Sequence, residues 1–540
     1  MRGSRLLVKS LEEQGVKYIF GLFGDDLTSL PADLKESSIK FITVRHEHEA
    51  AIMADAWGRL SKEPGVCFST LGPGATNLVS GLANAKQDYS PVVALSDQLP
   101  LEDCVEGSHQ FIDIEKVMAP VTKRSTTLKP HDSIPNVISL AFSIAKSERP
   151  GPVHITVVRD ALKGDFPEQR SERLPTKELG YDDSILHFAA ELIRNSKSPL
   201  ILAGGIVNRL GAHEELKKFA EKFNIPVITS FHGKNSISSD HPLFIGTVSR
   251  HLSIYEEIFK RSDLLIALGY DYAEGVKPST WKTMPEPKVL HIDATPHNSK
   301  EFYRPHVELT GNVKKYLQFL TSSAGKNFKA GKKLIDPKEE REKLHKILDF
   351  SDGSAFPFWP QQVLKALGEA VGPDDILTCD VGLHKQYVGL MFNPVSRNRV
   401  LFSNGFSTMA FALPAANAAK LYQKHTGDKG NVIAVLGDGG LNMLPGPLNT
   451  SKRLDLPFMA VVFNDGGYGL IRHNQQISSG TTYEVEAENP DFLKLGESYG
   501  FKTFRPGKND ELKRIFREAL RSGEHTLIDI PIQYRAKWFG

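Results

Sequence analysis

The sequence predicts an α/β protein of three domains, each a mainly parallel sheet flanked by helices, and three observations carry that expectation. Apolar runs of four to eight residues alternate with helix-length amphipathic stretches from one end of the chain to the other, the pattern of strands buried between two layers of helices. The 540 residues exceed three times the roughly 150 of an ordinary domain. Two polar stretches, 163–181 and 321–355, interrupt the alternation and divide the chain near 1–165, 183–322 and 356–540.

Taken in order, the strands are expected at 66–70, 92–96 and 153–158, then at 200–203, 264–268 and 289–292, then at 376–379, 432–436, 459–463 and 527–530. Each is a short apolar run of strand length between helix-length stretches. The first linker carries Pro167 and Pro175 and has no apolar periodicity. The second carries Gly325, Gly331 and a Lys/Glu-rich segment around 338–346 that reads as a surface helix. A Gly/Asp-rich turn follows a strand in both outer thirds, so two related ligand-binding halves are expected around a central domain.

Composition narrows the function. Lys plus Arg at 66 against Asp plus Glu at 64 gives a net charge of +2 without a basic block, which argues against a nucleic-acid partner. No run of about 18 apolar residues occurs, so no membrane segment is expected. Residues 1–11 carry two arginines and a lysine but no apolar segment, and are not expected to act as a signal peptide. Cys67, Cys104 and Cys379 lie far apart and form no CxxC pair, which fits a reduced, cytoplasmic protein.

The strongest local signal is a pair of turns. The strand at 432–436 runs into Gly437-Asp438-Gly439-Gly440, and the strand at 459–463 runs into Asn464-Asp465-Gly466-Gly467-Tyr468-Gly469. From Asp438 to Asp465 is 27 residues, the length of one strand-helix-strand unit, so both turns fall at the carboxyl edge of one sheet, where ligands bind. Asp438 and Asp465 offer hard oxygen ligands for Mg²⁺, with a backbone carbonyl such as that of Gly467, while the glycines let backbone N–H groups approach a diphosphate. A carboxylate repels a bare diphosphate unless a metal lies between them. Alone, the first turn reads equally well as a tight turn.

Paired at this spacing, the two turns resemble the fingerprint of thiamine-diphosphate-dependent enzymes. Other segments extend the resemblance in the family's order. That order implies a pyrimidine-binding domain in 1–165, a central domain in 183–322 and a diphosphate-binding domain in 356–540. Arg45-His46-Glu47-His48 resembles the family's RHEQ segment, which implies that Glu47 hydrogen-bonds the cofactor pyrimidine and promotes loss of the thiazolium proton. Without the resemblance, Glu47 reads as ordinary helix N-terminal charge. Residues 69–77 resemble the SGPGATN loop, implying cofactor contacts from Gly72 and Asn77, and residues 148–153 resemble the RPGPV segment. Asp380-Val381-Gly382-Leu383-His384 resembles the DVGxH turn, with Val381 and His384 at the diphosphate. Ser407 and Met409 match the stretch whose methionine wedges between the cofactor rings, although a methionine reads equally well as core. The resemblance also gives cofactor contacts to Gly437, Gly439, Gly440, Gly467 and Tyr468, and pairs the two halves across a homodimer or homotetramer, with active sites at the subunit interface.

Within the family the chain is similar to catabolic, FAD-independent acetolactate synthases. Ser108-His109-Gln110-Phe111-Ile112-Asp113, Gly269-Tyr270-Asp271 with Trp281, Tyr303-Arg304-Pro305 and Asp465 each match that subgroup. This implies decarboxylation of a 2-keto acid, pyruvate, and joining of the two-carbon unit to a second pyruvate, giving 2-acetolactate and CO₂. Gln110 would orient substrate and His109 would line the cavity or assist proton transfer. Residues 246–252 read Gly-Thr-Val-Ser-Arg-His-Leu where flavin-containing relatives are glycine-rich, so no FAD is expected. The main alternative is a simple 2-keto acid decarboxylase, supported by Asp25 with His109. Against it, Ile471 stands where those enzymes place a glutamate proton donor. Pyruvate oxidase and a benzaldehyde-lyase-type ligase are further alternatives, and a non-catalytic paralogue conflicts with an intact Glu47 and metal turn.

Overall fold

The computed structural model describes residues 1–24, 29–175, 179–249, 252–271, 278, 281, 286–297, 303–323, 334–348, 355–392 and 399–534. Three six-stranded sheets form, and every strand pairing is parallel. The first contains β1 (Tyr18–Gly21), β2 (Lys40–Thr43), β3 (Gly65–Ser69), β4 (Val92–Gln98), β5 (Arg124–Leu128) and β6 (Pro152–Val158), ordered β2-β1-β3-β4-β6-β5. The third contains β13 (Ile376–Cys379), β14 (Val400–Phe402), β15 (Val432–Gly437), β16 (Met459–Asn464), β17 (Lys502–Phe504) and β18 (Thr526–Pro531), ordered β14-β13-β15-β16-β18-β17. These two orders are the same permutation, so the outer sheets are related in topology.

The central sheet contains β7 (Pro199–Ala203), β8 (Val227–Thr229), β9 (Phe244–Thr247), β10 (Leu264–Leu268), β11 (Lys288–Asp293) and β12 (Val307–Thr310), ordered β12-β11-β10-β7-β8-β9. It is a doubly wound arrangement whose order reverses between β7 and β10. Strands such as Val432–Gly437 and Leu264–Leu268 are buried along almost their whole length because helices cover both faces, which is why they read as unbroken apolar runs.

All ten expected strands match observed ones, the first overrunning β3 by one residue, Thr70. The other eight include both edge strands of every sheet, β2, β5, β9, β12, β14 and β17. Most are three or four residues long, too short to stand out even where they are apolar, as in β8 and β9, and β5, Arg-Ser-Thr-Thr-Leu, is buried only at Leu128. The Lys/Glu-rich segment is a helix, Pro337–Leu348, but not a wholly exposed one. Its Leu344 and Leu348 pack into the core beside Ile245 of β9 and Tyr255.

Two cores join the domains. Helix Glu47–Ser61 of the first domain packs on helix Ala412–Thr426 of the third through Ala50, Ala54, Ala415 and Ala418, side chains small enough for close approach. A second core runs from Tyr255 and Trp281 to Phe358 and Leu383. Among the described residues no helix is long and apolar enough to cross a membrane.

Candidate active site

The carboxyl ends of β13, β15 and β16 surround a cavity lined by Val381, His384, Met409, Asp438, Asp465 and Tyr468, among others. Gly437, Gly439, Gly440 and Gly467 also line it. A side chain at Gly440 would place Cβ 2.4 Å from Asp380 Oδ2, and one at Gly439 would meet the Tyr468 ring at 3.1 Å and Met409 Cε at 3.2 Å. The glycines therefore keep the turn open for a ligand's approach.

Asp438 is buried, and its Oδ2 accepts hydrogen bonds from the Gly467 N–H at 2.9 Å and from Asn489 Nδ2 at 2.6 Å. The turn after β16 brings Asp465 towards it, with Gly466 at φ +72° where a side chain would be strained. Burial raises the Asp438 carboxyl. Burial, and then the like charge of Asp438, push Asp465 up to about 7. Two converging carboxyls that resist ionisation are the electrostatic setting a divalent cation relieves. Arg472 compensates part of this charge, pairing with Asp465 at 2.9 Å while anchored by Glu486 at 2.5 Å.

His384 is buried, and burial pushes it down to about 3, so it is neutral at pH 7. Its Nε2 is a buried polar atom with no hydrogen-bond partner among the described residues. An orphan imidazole nitrogen, a glycine cradle and two carboxyls in one cavity fit a magnesium diphosphate, with the anion on the glycines and His384 and the metal on Asp438 and Asp465.

Ser407 does not line this cavity. It is exposed, at φ +57°, with its Oγ donating to the Asn404 carbonyl at 2.7 Å and accepting from Lys385 at 3.2 Å, so it stabilises the turn that carries Met409. Tyr534, beyond β18, lines the cavity and lies 5.8 Å from the Tyr387 ring. Sequence reasoning missed both Tyr534 and Arg472, because no local pattern distinguishes a tyrosine after a strand or an arginine on an exposed helix.

A second cluster belongs to the first domain. Glu47 opens its helix and is 7% exposed; its Oε2 accepts from Asn77 Nδ2 at 2.9 Å. Asn77 lies inside helix Pro73–Gln87, whose start at Pro73 suits a proline in the first helical turn. Gly72, at φ +54°, sits against Gln110: a Cβ there would lie 2.7 Å from the Gln110 carbonyl oxygen. Gln110 and His109 are exposed. Asp25 lies outside the described residues. None of these groups lines the Asp438 cavity, although the neighbouring His48 is hydrogen-bonded to the Met409 backbone.

Three domain families match in the order of the three sheets: the thiamine pyrophosphate enzyme N-terminal TPP binding domain at residues 1–117, the central domain at 186–320 and the C-terminal TPP binding domain at 380–530. The chain belongs to the thiamine pyrophosphate enzyme family. It is 36% identical to a probable acetolactate synthase large subunit of Methanocaldococcus jannaschii, over 98% of this chain and 92% of that protein. It is 29% identical to an acetolactate synthase of Bacillus subtilis, over 99% and 93%, and 28% identical to a catabolic acetolactate synthase of Raoultella terrigena, over 99% and 95%. This thiamine pyrophosphate enzyme is acetolactate-synthase-like along its whole length.

Proposed function

We propose that the protein, with thiamine diphosphate and Mg²⁺, decarboxylates pyruvate and joins the two-carbon unit to a second pyruvate, giving 2-acetolactate and CO₂. The observation that carries this is Ile471, an apolar side chain lining the Asp438 cavity at the position where a proton-donating acid would end the reaction at acetaldehyde. Bound there, the cofactor would supply an electron sink for decarboxylation of the 2-keto acid. The chain's residues do the rest. Glu47, held by Asn77, would take and return the pyrimidine proton; Met409, in the cavity wall, would bear on the cofactor; Ile471 would keep water from the reacting carbon; Gln110 would orient substrate, and His109 would border it.

The two clusters meet across two copies of the chain, Glu47 of one facing Asp438 of the other. Helix Gly469–Ser479, beside the cavity, has no buried residue, and Tyr468, Ile471 and Ile477 are 39%, 49% and 59% exposed, a surface a second copy would cover.

Replacing Ile471 with Glu puts an acid beside the reacting carbon, and an acid covered there by the second copy stays largely protonated. The acetaldehyde-to-acetolactate ratio from pyruvate is expected to rise by about tenfold or more, within the range for general acid assistance. An unchanged ratio with retained turnover would remove Ile471 from the account.

The protein is also expected to be colourless. Arg149 bridges Asp271 and Asp293 at the carboxyl ends of β10 and β11, and Ile206 packs on Gly269, leaving 1.8 Å for a Cβ. Thr247, Val248 and Leu252 are buried, while Arg250 and His251 lie outside the described residues. These contacts occupy the carboxyl ends of β10 and β11. A flavin absorbance band that survives desalting would contradict this.

A further inference from the structure

A second cavity, of about 350 Å³, lies where all three domains meet and shares no residue with the Asp438 site. The loops before β4 and β6, the carboxyl edge of β7 and β8, and edge strand β14 form its walls. Five basic side chains, Arg59, Lys62, Lys146, Arg209 and Lys234, line it against two carboxylates, Asp88 and Glu148, with burial bringing Lys234 down to about 7.

Both carboxylates are committed. Asp88 pairs with Arg59 at 2.9 Å and His232 at 3.0 Å, and Glu148 with Arg209 at 3.1 Å. Lys146 reaches Glu63 at 2.8 Å. The Lys62 ammonium has no ion pair or hydrogen bond among the described residues. Surrounding protein, then the like charges of Arg209 and Arg59, bring it down to about 8. An ammonium beside two guanidiniums, with every nearby carboxylate taken, gains most from an added anion. Pro91, Leu210, Phe231, Leu401 and Phe402 form an apolar part of the remaining wall.

We propose that this cavity binds a small organic anion, its carboxylate or phosphate head at Lys62 and Arg209 and its apolar body against Phe231, Leu401 and Phe402. The occupant acts on the cofactor site. Asp88, in the cavity wall, also accepts the N–H of Asn404 at 3.1 Å and of Gly405 at 2.6 Å, the start of the turn that carries Met409. An anion at Lys62, whose ammonium neighbours Arg59, relieves the charge on Arg59 and so shifts the grip of Asp88 on that turn, and the coupling is reciprocal: cofactor and anion change each other's affinity by one factor.

The test uses the full-length protein without pyruvate, so it stands apart from the proposed reaction. Phenyl phosphate, benzoate, inorganic phosphate and benzylamine are titrated calorimetrically, with and without thiamine diphosphate and Mg²⁺. Phenyl phosphate or benzoate is expected to bind, the tighter one identifying the head group, with inorganic phosphate weaker and benzylamine silent. Lys62→Met, at an exposed position that leaves the fold intact by melting temperature, is expected to weaken anion binding by about 10- to 100-fold, the scale of a lost charge-assisted hydrogen bond. Failure of both organic anions to bind, equal binding by Lys62→Met, or equal binding of benzylamine or inorganic phosphate would overturn the site. An anion affinity unchanged by the cofactor would overturn the coupling.

Discussion

Replacing Glu47 with Gln is expected to leave the fold and cofactor binding in place while slowing deuterium exchange at the thiazolium carbon by about two to four orders of magnitude. The amide keeps the shape of the side chain and its contact with Asn77, so the helix start and its packing on helix Ala412–Thr426 stay as they are. What is lost is a group that takes and returns a proton, and that loss corresponds to about 3–5 kcal/mol of barrier. The measurement is exchange of the cofactor proton, followed by NMR after acid quench. Exchange at the wild-type rate would remove Glu47 from its assigned role.

Asp438→Ala is expected to have a different effect: loss of cofactor retention. Its carboxylate is one of the two that converge in the cavity, and without it the diphosphate faces Asp465 with no well-held cation between them. Affinity for thiamine diphosphate in the presence of Mg²⁺ is expected to fall by about 100-fold or more, some 3 kcal/mol. Asp438→Asn separates metal binding from folding, because its amide oxygen still accepts the Gly467 N–H. It is expected to melt like wild type yet bind the cofactor weakly; wild-type affinity would contradict the metal assignment. Co-expression of Glu47→Gln and Asp438→Ala chains tests the pairing of the two clusters. Hybrids would carry one intact site, so about a quarter of wild-type activity is expected from random pairing, and none if each chain completes its own site.

Much of this protein was legible in the sequence, for local reasons. Most interior strands are buried on both faces, so their apolar runs announce them, although the short β1 and β8 were missed, and the 27-residue step from Asp438 to Asp465 is one strand-helix-strand unit, so both turns had to share a sheet edge. The edge strands were not legible, because Arg124–Leu128 and Lys502–Phe504 are half solvated and carry too few apolar residues to stand out. The contact of Gly72 with Gln110, and the presence of Tyr534 and Arg472 at the cavity, arise from tertiary packing, which no local pattern encodes. Ser407 shows the limit of a motif: the segment is in place, but this side chain secures the turn and does not reach the cavity.

The most direct measurement is the product distribution from pyruvate. Purified protein is incubated with pyruvate, thiamine diphosphate and Mg²⁺, and acetolactate, acetaldehyde and acetate are quantified together. Acetolactate is expected as the main product, with acetaldehyde minor and acetate absent. Acetaldehyde as the main product would replace carboligation with simple decarboxylation, and formation of none of the three would contradict pyruvate as the substrate.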